Sequence, residues 1–181
     1  GGKDPVDLRR RLLAKSPRLL GVLNRVAEQS NWGRPPAGHF QGVALVNNVG
    51  SYTAQVAEIS VTGGKLKVHR VVCAVDCGHV VNPAIIRQQI ESGIVYGLSA
   101  ALKGAITIEK GRVQQANFNT YDVVRIDEMP RIDVHIVESD NNPGGIGEAA
   151  VPPIAPAVTN AIFAATGKRI RKLPIRLSDL A

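Results

Sequence analysis

Aromatic residues make up only 4% of this 181-residue sequence, too few to supply the stacking platforms that single-stranded nucleic acids need. Helix-turn-helix and zinc-finger spacings are also missing. The basic residues behind the net charge of +7 are scattered along the chain instead of forming one cluster. We therefore predict a solvated basic surface, or one that meets a partner subunit or an anionic cofactor, and no specific nucleic-acid binding.

Long apolar runs are lacking as well. Arg, Lys, Asn or Gly interrupts each run before it reaches membrane-spanning length, so we predict no transmembrane segment in this chain. Residues 1–5 carry neither an initiator methionine nor a signal-peptide pattern, which predicts a cut inside a longer chain.

Cysteine and histidine are too sparse to predict a metal site. Cys73 and Cys77 are the only cysteines, and on a strand four residues span about 13 Å, which is too far for a disulfide. Two thiols are also too few for structural zinc, so we predict buried free thiols. The four histidines have no metal-ligand spacing and receive no role; they are His39, His69, His79 and His135.

Residues 6–30 carry apolar positions at helical spacing, and Pro17 divides them into two short predicted helices. The segment 31–38 is rich in Gly and Pro and breaks the pattern. We therefore predict a helical lead-in with a linker over residues 1–38 and a second unit over residues 39–181. The lead-in is expected to pack on another part of the protein.

From residue 42 the hydrophobic period changes to two, which predicts strands over 42–46, 52–61 and 66–76, with a tight turn at 62–65. Asn82 and Pro83 then open a helix that runs to about residue 102. A hairpin over 105–109 and 112–118, a strand over 131–138 and a last helix over 153–166 follow, and Gly167 fits the cap at the end of that helix. The predicted fold class is α+β, a mostly antiparallel sheet covered on one face by the two longer helices.

The segment Gly144-Gly145-Ile146-Gly147-Glu148 is the strongest candidate for chemistry. Glycines permit positive φ angles and close approach of a ligand, and a following helix would add unpaired N–H groups and a dipole. A carboxylate at Glu148 is then stabilised in the ionised form that a general base needs. An ordinary turn with a favourable first-turn glutamate explains the same pattern.

Gln89, Gly93 and Gly97 recur at a spacing of four residues, so they share one face of the helix that begins near Asn82. Each mid-helix glycine costs about 1 kcal/mol relative to alanine, so two on one face need a reason. Close approach of a helix or strand is the simpler reason. Close approach of a cofactor, hydrogen-bonded by the Gln89 amide, is the alternative.

Both segments, with residues 71–78, Asn82-Pro83 and 152–157 around them, resemble the molybdopterin-binding large subunits of the xanthine dehydrogenase/aldehyde oxidoreductase family. Within that family the resemblance is greatest to the beta chains of the isoquinoline 1-oxidoreductase branch, which is bacterial. The similarity covers nearly the whole chain and identifies it as a C-terminal part of such a large subunit.

The resemblance implies a molybdenum cofactor of the pterin type, usually the cytosine dinucleotide form. It implies that Glu148 is the catalytic base, taking a proton from the oxygen that attacks an aldehyde or N-heterocycle carbon. Gln89 would bind the cofactor, and Gly144, Gly145, Ile146 and Gly147 would line the same site. Iron–sulfur clusters are expected on a small partner subunit, and the isolated chain is expected to be inactive.

Two other interpretations remain open. One is a non-catalytic assembly domain that keeps the fold and docks a redox partner through its basic surface. The other is a nucleic-acid-binding module, which the scattered charge disfavours. The enzymatic interpretation requires the Glu148 carboxylate and the Gln89 amide to meet at one cavity wall.

Overall fold

The computed structural model describes residues 2–176, 178 and 180. The chain begins with α1 (Pro5–Leu12) and α2 (Pro17–Gln29), followed by strands β1 (Phe40–Asn48), β2 (Ser51–Thr62) and β3 (Lys65–Asp76). Helix α3 (Pro83–Leu102), the short strands β4 (Ile108–Glu109) and β5 (Arg112–Val113), strand β6 (Arg131–Ile136) and helix α4 (Val151–Thr166) complete it. The α+β fold class predicted from the sequence is confirmed.

The main sheet has the strand order β1-β2-β3-β6. The first three strands form an antiparallel meander, and β6 pairs with β3 in parallel. The predicted turn between β2 and β3 is confirmed, because Gly63 and Gly64 have φ angles of 57° and 73° that favour glycine. The sheet is therefore mostly antiparallel, as predicted.

Local signals set the ends of the two longer helices. The Asn82 side chain caps α3 by accepting hydrogen bonds from the backbone N–H groups of Ala84 and Ile85. At the end of α4, Gly167 adopts a left-handed conformation with φ 75°. Both caps were predicted, although α4 begins at Val151, two residues before the predicted start.

Helices α3 and α4 cover one face of the sheet, and the buried side chains there form the larger hydrophobic cluster. The lead-in helices cover the opposite face. Val22, Leu23 and Val26 of α2 pack there against strand residues such as Val56 and Val72. The prediction that the two longer helices cover one face is confirmed, and the lead-in covers the other face because alternate strand positions are apolar on both faces. The boundary at residue 38 remains a prediction.

The predicted hairpin over 105–118 is much shorter than expected. Only β4 and β5 form, and all four of their residues are exposed. A two-stranded ribbon with no apolar face to bury is marginally stable, which explains why pairing does not extend further.

An ion pair joins the lead-in to the sheet. The Arg18 guanidinium contacts the Asp76 carboxylate through Nε at 2.8 Å and Nη2 at 2.7 Å. Asp76 is buried, and it also accepts hydrogen bonds from the Gly78 N–H and the Ser139 hydroxyl. Burial alone would raise the pKa of Asp76, but Arg18 and these donors together hold that pKa below its ordinary value.

Arg18→Met is expected to lower the free energy of unfolding at pH 7 by about 2–4 kcal/mol, because it leaves the Asp76 charge buried without its partner. Since the folded pKa is depressed, the stabilisation is present above the unfolded pKa, about 3.9, and is lost as pH falls through the folded value. Urea unfolding of the complete protein at several pH values measures this difference. The gap between variant and wild type should close in acid.

Arg25→Met is the matched control, because Arg25 lies on the same helix and pairs with the exposed Glu28 at 3.8 Å. It is expected to change stability by about 0.5 kcal/mol or less. Equal losses in the two variants would contradict a specific role for the Arg18–Asp76 pair.

Candidate functional site

The glycine loop before α4 is fixed by backbone hydrogen bonds to two neighbouring segments. The Gly144 N–H donates to the Cys77 carbonyl, just beyond β3, at 2.8 Å. The Gly145 N–H donates to the Val49 carbonyl, in the turn between β1 and β2, also at 2.8 Å. These two N–H groups are therefore paired within the chain, contrary to the expectation that the loop offers them to a ligand.

Close packing explains two of the three loop glycines. A Cβ at Gly144 would lie 2.5 Å from the Gly50 carbonyl carbon, and one at Gly145 would lie 2.8 Å from a Val49 methyl. A Cβ at Gly147 would meet no atom within 4 Å. None of the three has a positive φ, so the expected use of left-handed backbone is wrong here. Close packing within the described part of the chain therefore does not explain why residue 147 is a glycine.

The first turn of α4 also offers fewer donors than expected. Its second and third residues, Pro152 and Pro153, have no N–H, and the Val151 N–H donates to the Glu148 carbonyl at 3.0 Å. The helix dipole still favours negative charge at this end, but backbone donors for an anion are scarce. An anion at the N-terminus of α4 would therefore have to be bound mainly by side chains.

Glu148 lies between the exposed Gly147 and the buried pair Ala149 and Ala150. The two alanines anchor the backbone directly after the glutamate, while its own side chain is exposed. Among the described residues, the Glu148 carboxylate has no hydrogen bond or ion pair. The carboxylate is thus held by its backbone and is free to meet a group from outside this chain.

Helix α3 contacts the start of α4 through its glycine face. A Cβ at Gly93 would lie 3.1 Å from the Ala150 Cβ. One at Gly97 would lie 2.3 Å from the Ile154 Cγ2 and 2.9 Å from the Val151 carbonyl oxygen. The simpler explanation for these glycines, close approach of another helix, is confirmed.

These contacts also place the two candidate polar groups. Since Gly93 meets Ala150 and Gly97 meets Ile154, both helices advance in the same direction along their contact. Gln89 lies one helical turn before Gly93, and Glu148 lies two residues before Ala150. Both residues therefore precede the α3–α4 contact along the chain, Gln89 in the second turn of α3 and Glu148 just before α4, and both are exposed.

A buried polar row lies on β2, and the sequence analysis missed it. Ser51, Thr53 and Gln55 occupy alternate positions facing α4, and all three are fully buried. Oxygen atoms on all three side chains lack a hydrogen-bond partner within the described part of the chain. Each unsatisfied group costs about 1–3 kcal/mol. The sequence signal that could have revealed this row is the switch, along one face of the same strand, from these three polar residues to the apolar Ala57 and Ile59.

Both cysteines and two of the four histidines make structural contacts. Cys73 and Cys77 are buried free thiols, as predicted, and burial raises the pKa of Cys73 to about 12. His39 stacks on His69 at 4.1 Å between ring centroids. His39 is 2.8 Å from a Glu58 carboxylate oxygen. No cluster of three or more metal-binding side chains occurs among residues 2–176, 178 and 180.

Residues 25–130 match the model of a family described as the molybdopterin cofactor-binding domain. That is more than half of the chain. The chain belongs to this molybdopterin cofactor-binding family. The matched region contains Gln89 and the glycine face of α3, whereas the loop that carries Glu148 lies beyond its end.

Curated relatives extend the similarity of this molybdopterin-binding chain over nearly its full length. It is 39% identical to the beta chain of the isoquinoline 1-oxidoreductase of Brevundimonas diminuta, covering 96% of the chain and 23% of the relative. It is 33% identical to a nicotinate dehydrogenase subunit of Pseudomonas putida, covering 96% and 16% respectively. The chain thus spans about a quarter or less of the length of these relatives.

Solved structures share the fold. The aldehyde oxidoreductase of Desulfovibrio desulfuricans superposes with a TM-score of 0.63 and 26% identity, covering 72% of this chain and 15% of that one. Quinoline 2-oxidoreductase of Pseudomonas putida 86 superposes with a TM-score of 0.66 and 20% identity over 72% and 18%. No helix in the described part of this molybdopterin-binding chain is long and apolar enough to cross a membrane.

Proposed function

We propose that this chain forms one wall of the molybdenum site of a hydroxylase that uses water to oxidise an aldehyde or N-heterocycle carbon. The proposal rests on the positions of Gln89 and Glu148, two exposed polar residues that each precede the contact between α3 and α4. The domain assignment and the relatives support a pterin cofactor there.

The chemistry of the exposed groups fits such a cofactor. The Gln89 amide supplies both a donor and acceptors for the edge of a heterocycle. Gly147 is exposed and has open space where a side chain would lie, so a planar group can approach its backbone. Gly144, Gly145 and Ile146 shape the loop, since the glycines pack on the β1–β2 turn and Ile146 packs on the core.

Glu148 is assigned the role of general base. It accepts a proton from the oxygen nucleophile, and its exposed side chain on an anchored backbone suits that task. When bound, the cofactor supplies the metal that activates water and accepts the electrons. We assign it the cytosine dinucleotide form, and we assign the iron–sulfur clusters to a small partner subunit.

The remainder of the large subunit is expected to close the site.

A second candidate function, a non-catalytic docking domain with the same fold, is favoured by one observation. Large apolar side chains are exposed in and around the segment 104–129, including Ile106, Ile108, Phe118 and Ile126. Such an apolar surface needs a covering partner under both the enzymatic and the docking function. The surface therefore does not distinguish the two functions, and the cofactor content of the complete protein does.

Gln89→Ala in the complete complex is expected to reduce molybdenum and pterin retention after dialysis. Loss of an amide hydrogen bond to a bound group costs about 1–3 kcal/mol, which is about five- to hundred-fold in affinity. Metal analysis and pterin fluorescence measure the loss.

Gln88→Ala is the matched control. Gln88 is the exposed glutamine next to Gln89, and it faces a different groove lined by Tyr96 and Met129. Its substitution should leave cofactor content unchanged. Equal retention in the two variants would refute the role of Gln89, and a complete wild-type complex without molybdenum would refute the enzymatic proposal itself.

A further inference from the structure

We infer that Gln55 is a positioning residue for Glu148, a role that rests on the proposed function. Gln55 is fully buried on β2, and its Nε2 donates a 2.9 Å hydrogen bond to the Ala150 carbonyl. Ala150 follows Glu148 by two residues and immediately precedes α4. The amide therefore reaches from the sheet to the backbone that carries the carboxylate.

Ser51, another member of the polar row, lies close to the same loop at its other end but makes no hydrogen bond to it. A Cβ at Gly144 would lie 2.6 Å from the Ser51 Oγ, so the loop begins directly over this hydroxyl. Thr53 lies between Ser51 and Gln55 on the same strand face. The segment from Gly144 to Ala150 thus lies close to polar side chains of one strand at both ends, and the hydrogen bond that holds it comes from Gln55.

A merely structural role would not require a polar row here. The neighbouring positions on this face, Ala57 and Ile59, are apolar and pack in the larger core. Gln55 keeps one buried oxygen without a partner in the described residues, while its nitrogen holds Ala150.

The expected consequence is catalytic. Loss of the bond leaves Ala150 free to shift, and the Glu148 carboxylate shifts with it. A displacement of about 1 Å at a reacting group reduces the rate by about a hundred-fold. Because Gln55 touches neither substrate nor cofactor in this arrangement, the loss should appear in kcat while KM stays within about two-fold.

The test uses Gln55→Met in the complete, cofactor-loaded complex, since methionine keeps the length but removes the donor. We expect kcat to fall about ten- to hundred-fold with molybdenum content unchanged. Amide hydrogen exchange in the peptide covering 144–151 should become faster, with or without cofactor.

Gln41→Met is the control. Gln41 is also buried on a strand, and its Nε2 donates to a backbone carbonyl, that of Ser30, on the lead-in side of the sheet. The substitution is the same and also removes the acceptor of the Gly33 N–H, yet kcat should stay within about two-fold because these bonds lie on the lead-in side. An equal fall in kcat in both variants would overturn the inference.

A double variant separates this inference from the proposed function. If Gln55 acts through Glu148, then Gln55→Met should add no further loss of turnover to Glu148→Gln. Independent, multiplying losses would overturn the positioning role and leave Glu148 as the base. Full turnover in Glu148→Gln alone would overturn the proposed base and, with it, this inference. Should Gln55→Met fail to assemble, Gln55→Asn, which withdraws the amide by one methylene, is judged by the same criteria.

Discussion

Glu148→Gln is expected to lower kcat of the complete complex by a factor of about 10²–10⁴. Glutamine keeps the size and shape of the side chain but cannot accept the proton. Because the side chain is exposed and makes no hydrogen bond or ion pair within the described residues, the substitution should leave the unfolding free energy nearly unchanged. Loss of activity without loss of stability is the signature of a chemical role.

Steady-state kinetics with an aldehyde or an N-heterocycle, together with molybdenum content, measure this effect. Glu109→Gln, the same change on the exposed short strand β4, is the control and should retain turnover. A loss beyond about 10⁴ would show that the glutamate also positions substrate. Turnover within a few-fold of wild type, at normal molybdenum content, would contradict the assignment of the base.

Gly42→Ala is expected to produce a large loss of stability. A Cβ at Gly42 would lie 2.2 Å from both the Ala157 carbonyl oxygen and the Ala161 nitrogen of α4. These are backbone atoms, so no side-chain rotation relieves the clash, and the helix must move away from β1. Overpacking typically costs about 1–3 kcal/mol, and this contact should reach or exceed the upper end.

Urea unfolding of the complete protein measures the loss, and Gly21→Ala is the control. Gly21 lies inside α2 without a positive φ, and an added Cβ there meets nothing within 4 Å. Alanine at this position should stabilise by about 0.5–1 kcal/mol, because it favours the helix. Opposite signs for the two glycines are expected. A neutral Gly42→Ala would mean that α4 does not sit on β1 as described.

Much of the fold follows from local patterns. The period-two segments became β1, β2 and β3, and the Asn82-Pro83 pair and Gly167 fixed one end each of α3 and α4. These signals succeed because the capping or turn chemistry lies within a few residues of the feature it predicts. The family resemblance is confirmed as well, because each of its motifs is a short local segment, and the domain match covers residues 25–130.

Features that depend on distant partners could not be predicted. The parallel pairing of β6 with β3 joins segments far apart in the sequence, and the packing of α2 on the second face joins lead-in and sheet. The close approach of Gly144 to Gly50 was equally hidden, so the loop glycines were given positive φ angles that they do not have. The roles of Gln89 and Glu148 remain proposals, and so does the requirement that the two side chains meet at one cavity wall.

An experimental structure of the complete, cofactor-loaded complex is the most direct test of the central claim. We predict that the Glu148 carboxylate and the Gln89 amide line one cavity that holds the pterin and its metal, with Gly147 facing into it. The account would be contradicted by a structure in which another domain buries Glu148 at a distance from the cofactor. It would also be contradicted if the two side chains lined different cavities.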